Sequence, residues 1–451
     1  MATFINEDYI NNLLENKANN SDIENILEKA ARFEGLTHKD VAALLTATGE
    51  QHTQSILNIA GQIKKHIYGE RIVLFAPLYV SDYCVNLCSY CGFKTDGKPS
   101  RRKLTQDEVR LEATVLQKMG HKRLVIEAGE DPINCPLDYI LECISTVYST
   151  SYENGETRRV NVNIAALDVE GYQRLKDARI GTYILFQETY HRDAYDKVHL
   201  GGPKSDYDYH LTALDRAMES GIDDVGAGVL FGLHDYRYEV LALMLHNEHL
   251  EKRFGVGFHT ISVPRIINTG SAYPYAVNDQ EFLRLVAILR MAAPFTGMII
   301  STRETPEMRR KLVQAGISQM SAGSSTAVGG YSGIANSQQF GLADHRGTDE
   351  IVYWLMEEGI LPSFCTACYR QGRSGDRFMA LAKNGDIKNV CLPNGILTLL
   401  EYALDYGDRR FKCLANSLIN KKLAHIENEN TRHLLQSKLA ALVQGKRDLF
   451  I

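Results

Sequence analysis

From residue 71 onward the chain alternates short apolar runs with stretches able to form helices, and this alternation limits the fold more than any other feature. Eight strand candidates follow one another: 71–80 (RIVLFAPLYV), 122–129 (KRLVIEAG), 159–165 (RVNVNIA), 181–189 (GTYILFQET), 224–232 (DVGAGVLFG), 258–265 (FHTISVPR), 296–302 (TGMIIST) and 317–323 (ISQMSAG). Each is followed by a helix-forming stretch, such as 105–119, 207–220 and 305–314. Near-continuous apolar strands alternating with helices indicate a parallel sheet covered on its outside. Eight such units over about 250 residues match an α/β fold of the (β/α)8, TIM-type barrel class in count and length. An open doubly wound sheet is the competing arrangement, and the eightfold count favours closure.

The flanking regions read differently. Residues 1–70 form an N-terminal helical extension, with apolar residues at helical spacing around Ile23, Ile26 and Leu27 and again around Ile56, Ile59 and Ile63. Thr37 is placed as a helix N-cap, and Gly69 ends the region. The barrel is assigned to 71–358, with 324–347 as a Gly- and Ser-rich surface loop after strand eight. Residues 359–451 form a mostly helical C-terminal segment.

Charge is mixed along the chain: 50 Lys and Arg against 55 Asp and Glu leave a net charge of −5. Nothing in this balance supports binding to nucleic acid or to a membrane surface. No apolar run reaches the ~18 residues of a membrane span. The acidic, amphipathic start is not expected to act as a signal peptide, so a cytoplasmic, reducing setting is expected. Nine cysteines in 451 residues are too sparse for a disulfide scaffold, and clustered ones should be metal ligands or reactive thiols.

In a barrel of this kind chemistry belongs in the loops that follow strands. After strand one comes SDYCVNLCSYCGFK, in which Cys84, Cys88 and Cys91 are separated by three and then two residues. Structural zinc sites and iron–sulfur clusters usually take four protein ligands. Three leave one position open for a substrate or cosubstrate, unless the group is a zinc knuckle completed from elsewhere. The CX3CX2C pattern, with Tyr90 just before its last cysteine, resembles the radical S-adenosylmethionine (SAM) enzymes. That resemblance implies a 4Fe-4S cluster on Cys84, Cys88 and Cys91, whose open iron chelates SAM and whose electron generates a 5′-deoxyadenosyl radical. It also implies that Gly129 and Glu130, in EAGED after strand two, serve the ammonium of SAM, with Ala128 where the superfamily has its first glycine. Glu188, in QETYH at the end of strand four, offers a carboxylate for ribose hydroxyls.

A second group lies in the tail. Cys365 and Cys368 are separated by two residues, and Cys391 follows after twenty-two more. Spacing alone allows a zinc site or a second iron–sulfur cluster with an open iron. The tail, together with ILFQETYHRDAY, GIDDVGAGVLFGL, HTISVPR and PSFCTACYRQGRSGDRFM, resembles the radical SAM tyrosine lyases that mature FeFe-hydrogenase. The related thiazole-pathway tyrosine lyases lack the three-cysteine tail. The resemblance implies cleavage of L-tyrosine to p-cresol and a dehydroglycine fragment. This fragment becomes carbon monoxide and cyanide on the C-terminal cluster, for assembly of the hydrogenase H-cluster. A reductant such as ferredoxin or flavodoxin and companion hydrogenase maturases are the implied partners. Two alternatives stand beside this reading: a tyrosine lyase of another pathway whose tail cluster is structural, and a non-catalytic iron–sulfur carrier.

The remaining candidates are single residues. His259, entering strand six ahead of TISVPR, could ligate iron, and the resemblance implies that such a histidine helps hold an additional iron beside the second cluster. Packing in the core is the other reading of that imidazole. Arg265 and Arg303 end strands six and seven, where an arginine needs an anion. The carboxylates of SAM and of an amino-acid substrate are candidates, and a barrel glutamate is the alternative. His246 and His249 lack the HExxH pattern of zinc proteases and are expected to be solvated. Cys135, Cys143 and Cys413 stand alone.

Overall fold

The computed structural model describes residues 4–16, 19–33, 35–96, 100–267, 273–333 and 338–451. All eight expected strands are present: β1 Arg71–Ser81, β2 Arg123–Ala128, β3 Arg159–Asn163, β4 Tyr183–Glu188, β5 Val225–Val229, β6 Thr260–Ser262, β7 Gly297–Ile300 and β8 Gln319–Ser321. They pair in chain order, all parallel, and β8 pairs back onto β1 through Val73↔Gln319, Leu74↔Met320 and Phe75↔Ser321. The sheet is therefore a closed barrel and not an open one. Ile72, Leu74 and Ala76, alternate residues of β1, are all fully buried, as expected of a strand packed on both faces.

Several helices begin where a side chain satisfies their first backbone donors. Thr37 caps His38–Thr46 in a reciprocal arrangement with Asp40, and Thr105 does the same with Glu108 ahead of Gln106–Lys118. The expected helix over 207–220 breaks at Thr212 into Tyr207–Leu211 and Ala213–Glu219. Ile23, Ile26, Leu27, Ile56 and Ile63 are buried, as their spacing requires. The N-terminal helices Glu7–Glu15 and His38–Thr46 pack on the barrel helix Tyr236–Phe254, and Glu50–Tyr68 packs on Asp279–Ala292.

That extra layer overturns one expectation. His246 is buried, with Nδ1 2.9 Å from the Tyr190 hydroxyl, and His249 Nε2 lies 2.6 Å from Asp215 while its ring stacks on Phe4. These histidines are covered because the N-terminal extension lies over the face that a bare barrel would leave in water. Among the described residues no helix is long and apolar enough to cross a membrane.

Two further elements were not expected. Leu361–Ser363, here β9, pairs in parallel with Arg71–Val73 at the start of β1, so the tail begins as a strand at the barrel's base. Pro362 fits there because an edge strand can spare one backbone donor. A short hairpin joins Ser151–Tyr152 to Gly155–Glu156. The segment after β8 is more than a surface loop. Its Gln339 carbonyl accepts a bond from Gly92 N at 3.0 Å, and its Gln339 Oε1 accepts one from the Tyr79 hydroxyl at 2.7 Å. It thereby folds over the first cysteine loop, although 334–337 lie outside the described residues.

Candidate functional site

The C-terminal ends of the strands open into a cavity of about 230 Å³, and Cys84, Cys88 and Cys91 line it. Their loop is pinned by backbone bonds from Leu87 N to Gly201 O at 2.9 Å and from Ser89 N to Val198 O at 2.9 Å. Burial pushes the Cys88 thiol up to about 12 and the Cys91 thiol upward as well. Buried thiolates of this kind are favourable only beside a strongly cationic centre. Among the described residues no three His, Cys, Asp or Glu side chains close tightly enough to hold a single metal ion. Thiols spread along a cavity wall instead suit a polynuclear iron–sulfur cluster.

Other side chains brace this loop. Gly129 N donates to Ser81 O at 3.0 Å, and a Cβ there would stand 2.4 Å from Tyr83 O and 3.0 Å from Cys84 Cβ. Only glycine allows β2 to approach the cysteine loop this closely. Gly129→Ala is expected to cost about 1–3 kcal/mol by overpacking and to lower iron retention, as read by chemical melts and iron analysis. Glu130 Oε2 accepts from Asn86 Nδ2 at 2.6 Å, so its carboxylate tethers the loop from within the cavity. The Tyr90 hydroxyl lies 2.8 Å from His199 Nε2, while His199 Nδ1 lies 2.9 Å from Tyr195 O. Burial holds His199 neutral, near 2. The tautomer is thereby assigned: Nδ1–H donates to Tyr195 O, and Nε2 accepts from Tyr90.

Glu188 lines the cavity in a left-handed conformation, φ 68°, and its Oε1 meets Lys204 Nζ at 2.9 Å. Burial opposes the Lys204 charge, but Glu188 and the nearby thiols outweigh it and hold the ammonium above the ordinary lysine range. Lys204 escaped the sequence reading. GGPKS looks like a solvated turn, and the bond from Lys204 N to Asn86 Oδ1 that turns it inward spans 118 residues.

The two arginines part company. Arg303 lines the cavity with its guanidinium 4.0 Å from the Phe340 ring centroid and its Nε without a bond. Arg265 does not line it. Its Nε and one terminal nitrogen bond both oxygens of buried Glu304, at 2.8 and 2.7 Å, and the latter nitrogen also meets Asp279 at 2.7 Å. The assignment of Arg265 to cofactor binding is therefore corrected, because its planar fork is already filled by carboxylates.

The second cysteine group sits at the opposite end of the barrel, around a cavity of about 60 Å³ lined by Cys365, Cys368, Cys391, His259 and Arg123. The end of β9 delivers Cys365, the turn Ala367–Arg370 carries Cys368, and helix Ile387–Tyr406 carries Cys391. Burial pushes Cys368 up to about 12 and Cys391 upward, the same unmet demand for positive charge as in the first cavity. His259 Nδ1 lies 3.3 Å from Asp224 Oδ1, and burial lowers the imidazole's pKa. With Nδ1 turned toward that carboxylate, Nε2 is the ring nitrogen left to act as a ligand. Three thiols around one cavity suit an iron–sulfur centre, and the imidazole is a further donor beside them. Chemistry was expected at the C-terminal face. The first group obeys that rule, and the second lies at the face usually reserved for stability.

The two cavities are stacked on the same strands. Phe75, Val125, Ile299 and Ser321 line the upper one, while Val73, Arg123, Gly297 and Gln319 line the lower one. Each pair differs by two residues, one inward-facing step of about 6.6 Å. Cys135, Cys143 and Cys413 line neither cavity.

Comparison with known proteins agrees with this geometry. The Radical SAM superfamily model matches residues 78–246, and that of the Biotin and Thiamin Synthesis associated domain matches 262–361. The 2-iminoacetate synthase of Salmonella typhimurium (strain LT2) is 28% identical over 340 residues, covering 74% of this chain and 89% of its own. HydG from Carboxydothermus hydrogenoformans, an FeFe-hydrogenase maturase, is similar at 39% identity and a TM-score of 0.83 over 96% of each chain. A crystal structure of HydG described as a maturase of the FeFe-hydrogenase is similar at 52% identity and a TM-score of 0.97 over 100% of both chains. With half its residues shared from end to end on the same closed barrel, the chain belongs to the HydG family of FeFe-hydrogenase maturases, within the radical SAM superfamily.

Proposed function

We propose that the chain is a radical SAM carbon–carbon lyase that cleaves L-tyrosine to p-cresol and dehydroglycine in the upper cavity. The fragment then yields carbon monoxide and cyanide in the lower one, for H-cluster assembly. The observation that carries this reading is the pair of three-cysteine sets at the two ends of one barrel, lining cavities one strand step apart. The name of the Salmonella relative supports it, because 2-iminoacetate is dehydroglycine. A 4Fe-4S cluster with SAM on Cys84, Cys88 and Cys91 supplies a 5′-deoxyadenosyl radical, and a second cluster on Cys365, Cys368 and Cys391, with an additional iron at His259, supplies soft metal sites for carbon monoxide and cyanide.

The chain's own residues do the rest. Phe75, Phe186 and Phe340 give the upper cavity aromatic walls suited to a substrate ring. Arg303 is a cavity cation for a substrate or SAM carboxylate. Glu188 keeps one oxygen for ribose hydroxyls while Lys204 fixes the other. The covering segment around Gln339 keeps water from the reacting atoms.

The test is product analysis after anaerobic reconstitution with iron, sulfide, SAM, L-tyrosine and a reductant such as ferredoxin or flavodoxin. Expected are 5′-deoxyadenosine, p-cresol, carbon monoxide and cyanide. Cresol without carbon monoxide would leave a lyase with a structural tail. No SAM cleavage at all would leave a cluster carrier. Within this reading His259→Ala should keep p-cresol formation near wild type. It should cut the infrared carbonyl and cyanide bands of the iron product by about 10- to 100-fold, the scale of a weakened metal shell. Equal loss in both assays would return His259 to packing.

A further inference from the structure

Three carboxyls face the upper cavity: Glu127, Glu130 and Glu188. Glu188 has Lys204 and Glu130 has Asn86. Among the described residues Glu127 pairs with no cation, and its side chain bonds only Asn163. Burial holds Glu127 well above the ordinary carboxylate range, and the charge of Glu188 adds to this. This direction favours the protonated form, which has a proton to donate. None of the chemistry described above uses it.

Its position points to a ligand. Glu127 and Asn163 are register partners on β2 and β3, and both face the cavity. In a closed ring of eight strands β3 stands opposite β7, and Arg303 follows β7. The cavity thus has a cation on one side, an acid–amide pair across from it, and the aromatic walls of Phe75 and Phe186 between them. Such a cavity suits an amino acid whose carboxylate meets Arg303 and whose far end is a hydroxyl. The acid can donate to that oxygen while the amide oxygen accepts its proton.

We propose that Glu127 and Asn163 grip the phenolic hydroxyl of the substrate and set its preference for L-tyrosine over L-phenylalanine. The assignment rests on the tyrosine-lyase reading and makes its substrate recognition specific. Phenylalanine leaves the acid's proton and the amide's oxygen without a partner inside the cavity, the arrangement that discriminates most strongly against a missing hydroxyl.

The test is equilibrium dialysis of labelled L-tyrosine and L-phenylalanine against the reconstituted, SAM-loaded protein without reductant, so that nothing turns over. Wild type should prefer tyrosine by about a hundredfold or more. Glu127→Leu should lose about a hundredfold in tyrosine affinity, bringing it to the level of phenylalanine, whose own affinity does not fall. Glu127→Gln, which still donates, should stay within about tenfold of wild type. Asn163→Leu carries the same test if Glu127→Leu does not fold, as judged by thermal melting and SAM binding. A leucine variant that folds and keeps the wild-type preference overturns the assignment. Wild type binding neither amino acid would instead sink the lyase reading itself.

Discussion

Replacing any one of Cys84, Cys88 or Cys91 by alanine is expected to bring tyrosine-dependent formation of 5′-deoxyadenosine to background. The three thiols line one wall of the upper cavity; in the proposed reading they are the cluster's whole protein ligand set, and with two ligands a cluster is not held. The loss should exceed the about 10- to 100-fold that follows removal of an outer-shell partner. The fold should persist, because the loop is pinned by backbone bonds of Leu87 and Ser89 that do not depend on the thiols. The measurement is chromatographic assay of 5′-deoxyadenosine beside a thermal melt. A variant that still cleaves SAM in response to tyrosine would remove that cysteine from the ligand set.

The second large effect is a separation of products. Cys365→Ala combined with Cys368→Ala should leave p-cresol formation near the wild-type rate and bring carbon monoxide to background. The lower cavity shares strands with the upper one but no lining residue, so the proposed radical step is expected to proceed without the tail thiols. Cyanide should fall less completely, since dehydroglycine can decompose in solution. Headspace carbon monoxide, measured with p-cresol on one sample, decides the matter. Undiminished carbon monoxide from the double variant would contradict the second half of the proposed reaction.

Much of this was legible in the sequence, and what was not has identifiable causes. The eight strands stood out because each is a short apolar run flanked by helix-forming residues. Both cysteine groups stood out because close thiol spacing is rare by chance. β9 did not stand out, because Leu361-Pro362-Ser363 is too short to carry a period and its identity comes from β1, about 290 residues earlier. Arg265 and Arg303 looked alike as strand-end arginines. Only the fold reveals that Glu304 fills the fork of one and leaves the other to the cavity. His246 read as solvated because its cover, Phe4 and the helix Glu7–Glu15, lies far away in sequence. His259 and Arg265 flank the same strand, yet they belong to opposite ends of the barrel. Glu188 was legible as a strand-end carboxylate, but its positive φ and its bond to Lys204 were not, since neither glycine nor asparagine marks the turn.

Stacking two cavities on one set of strands also sets a concentration. One molecule confined in about 230 Å³ is present at an effective molarity on the order of several molar. In the proposed reaction a fragment released in the upper cavity starts its course to the lower one from that level, however dilute the enzyme is. The nearest lining residues of the two cavities lie only about 6.6 Å apart along the strands. Dehydroglycine supplied from outside has no such advantage and is expected to be a poor substitute for tyrosine, even for a protein whose lower site is intact.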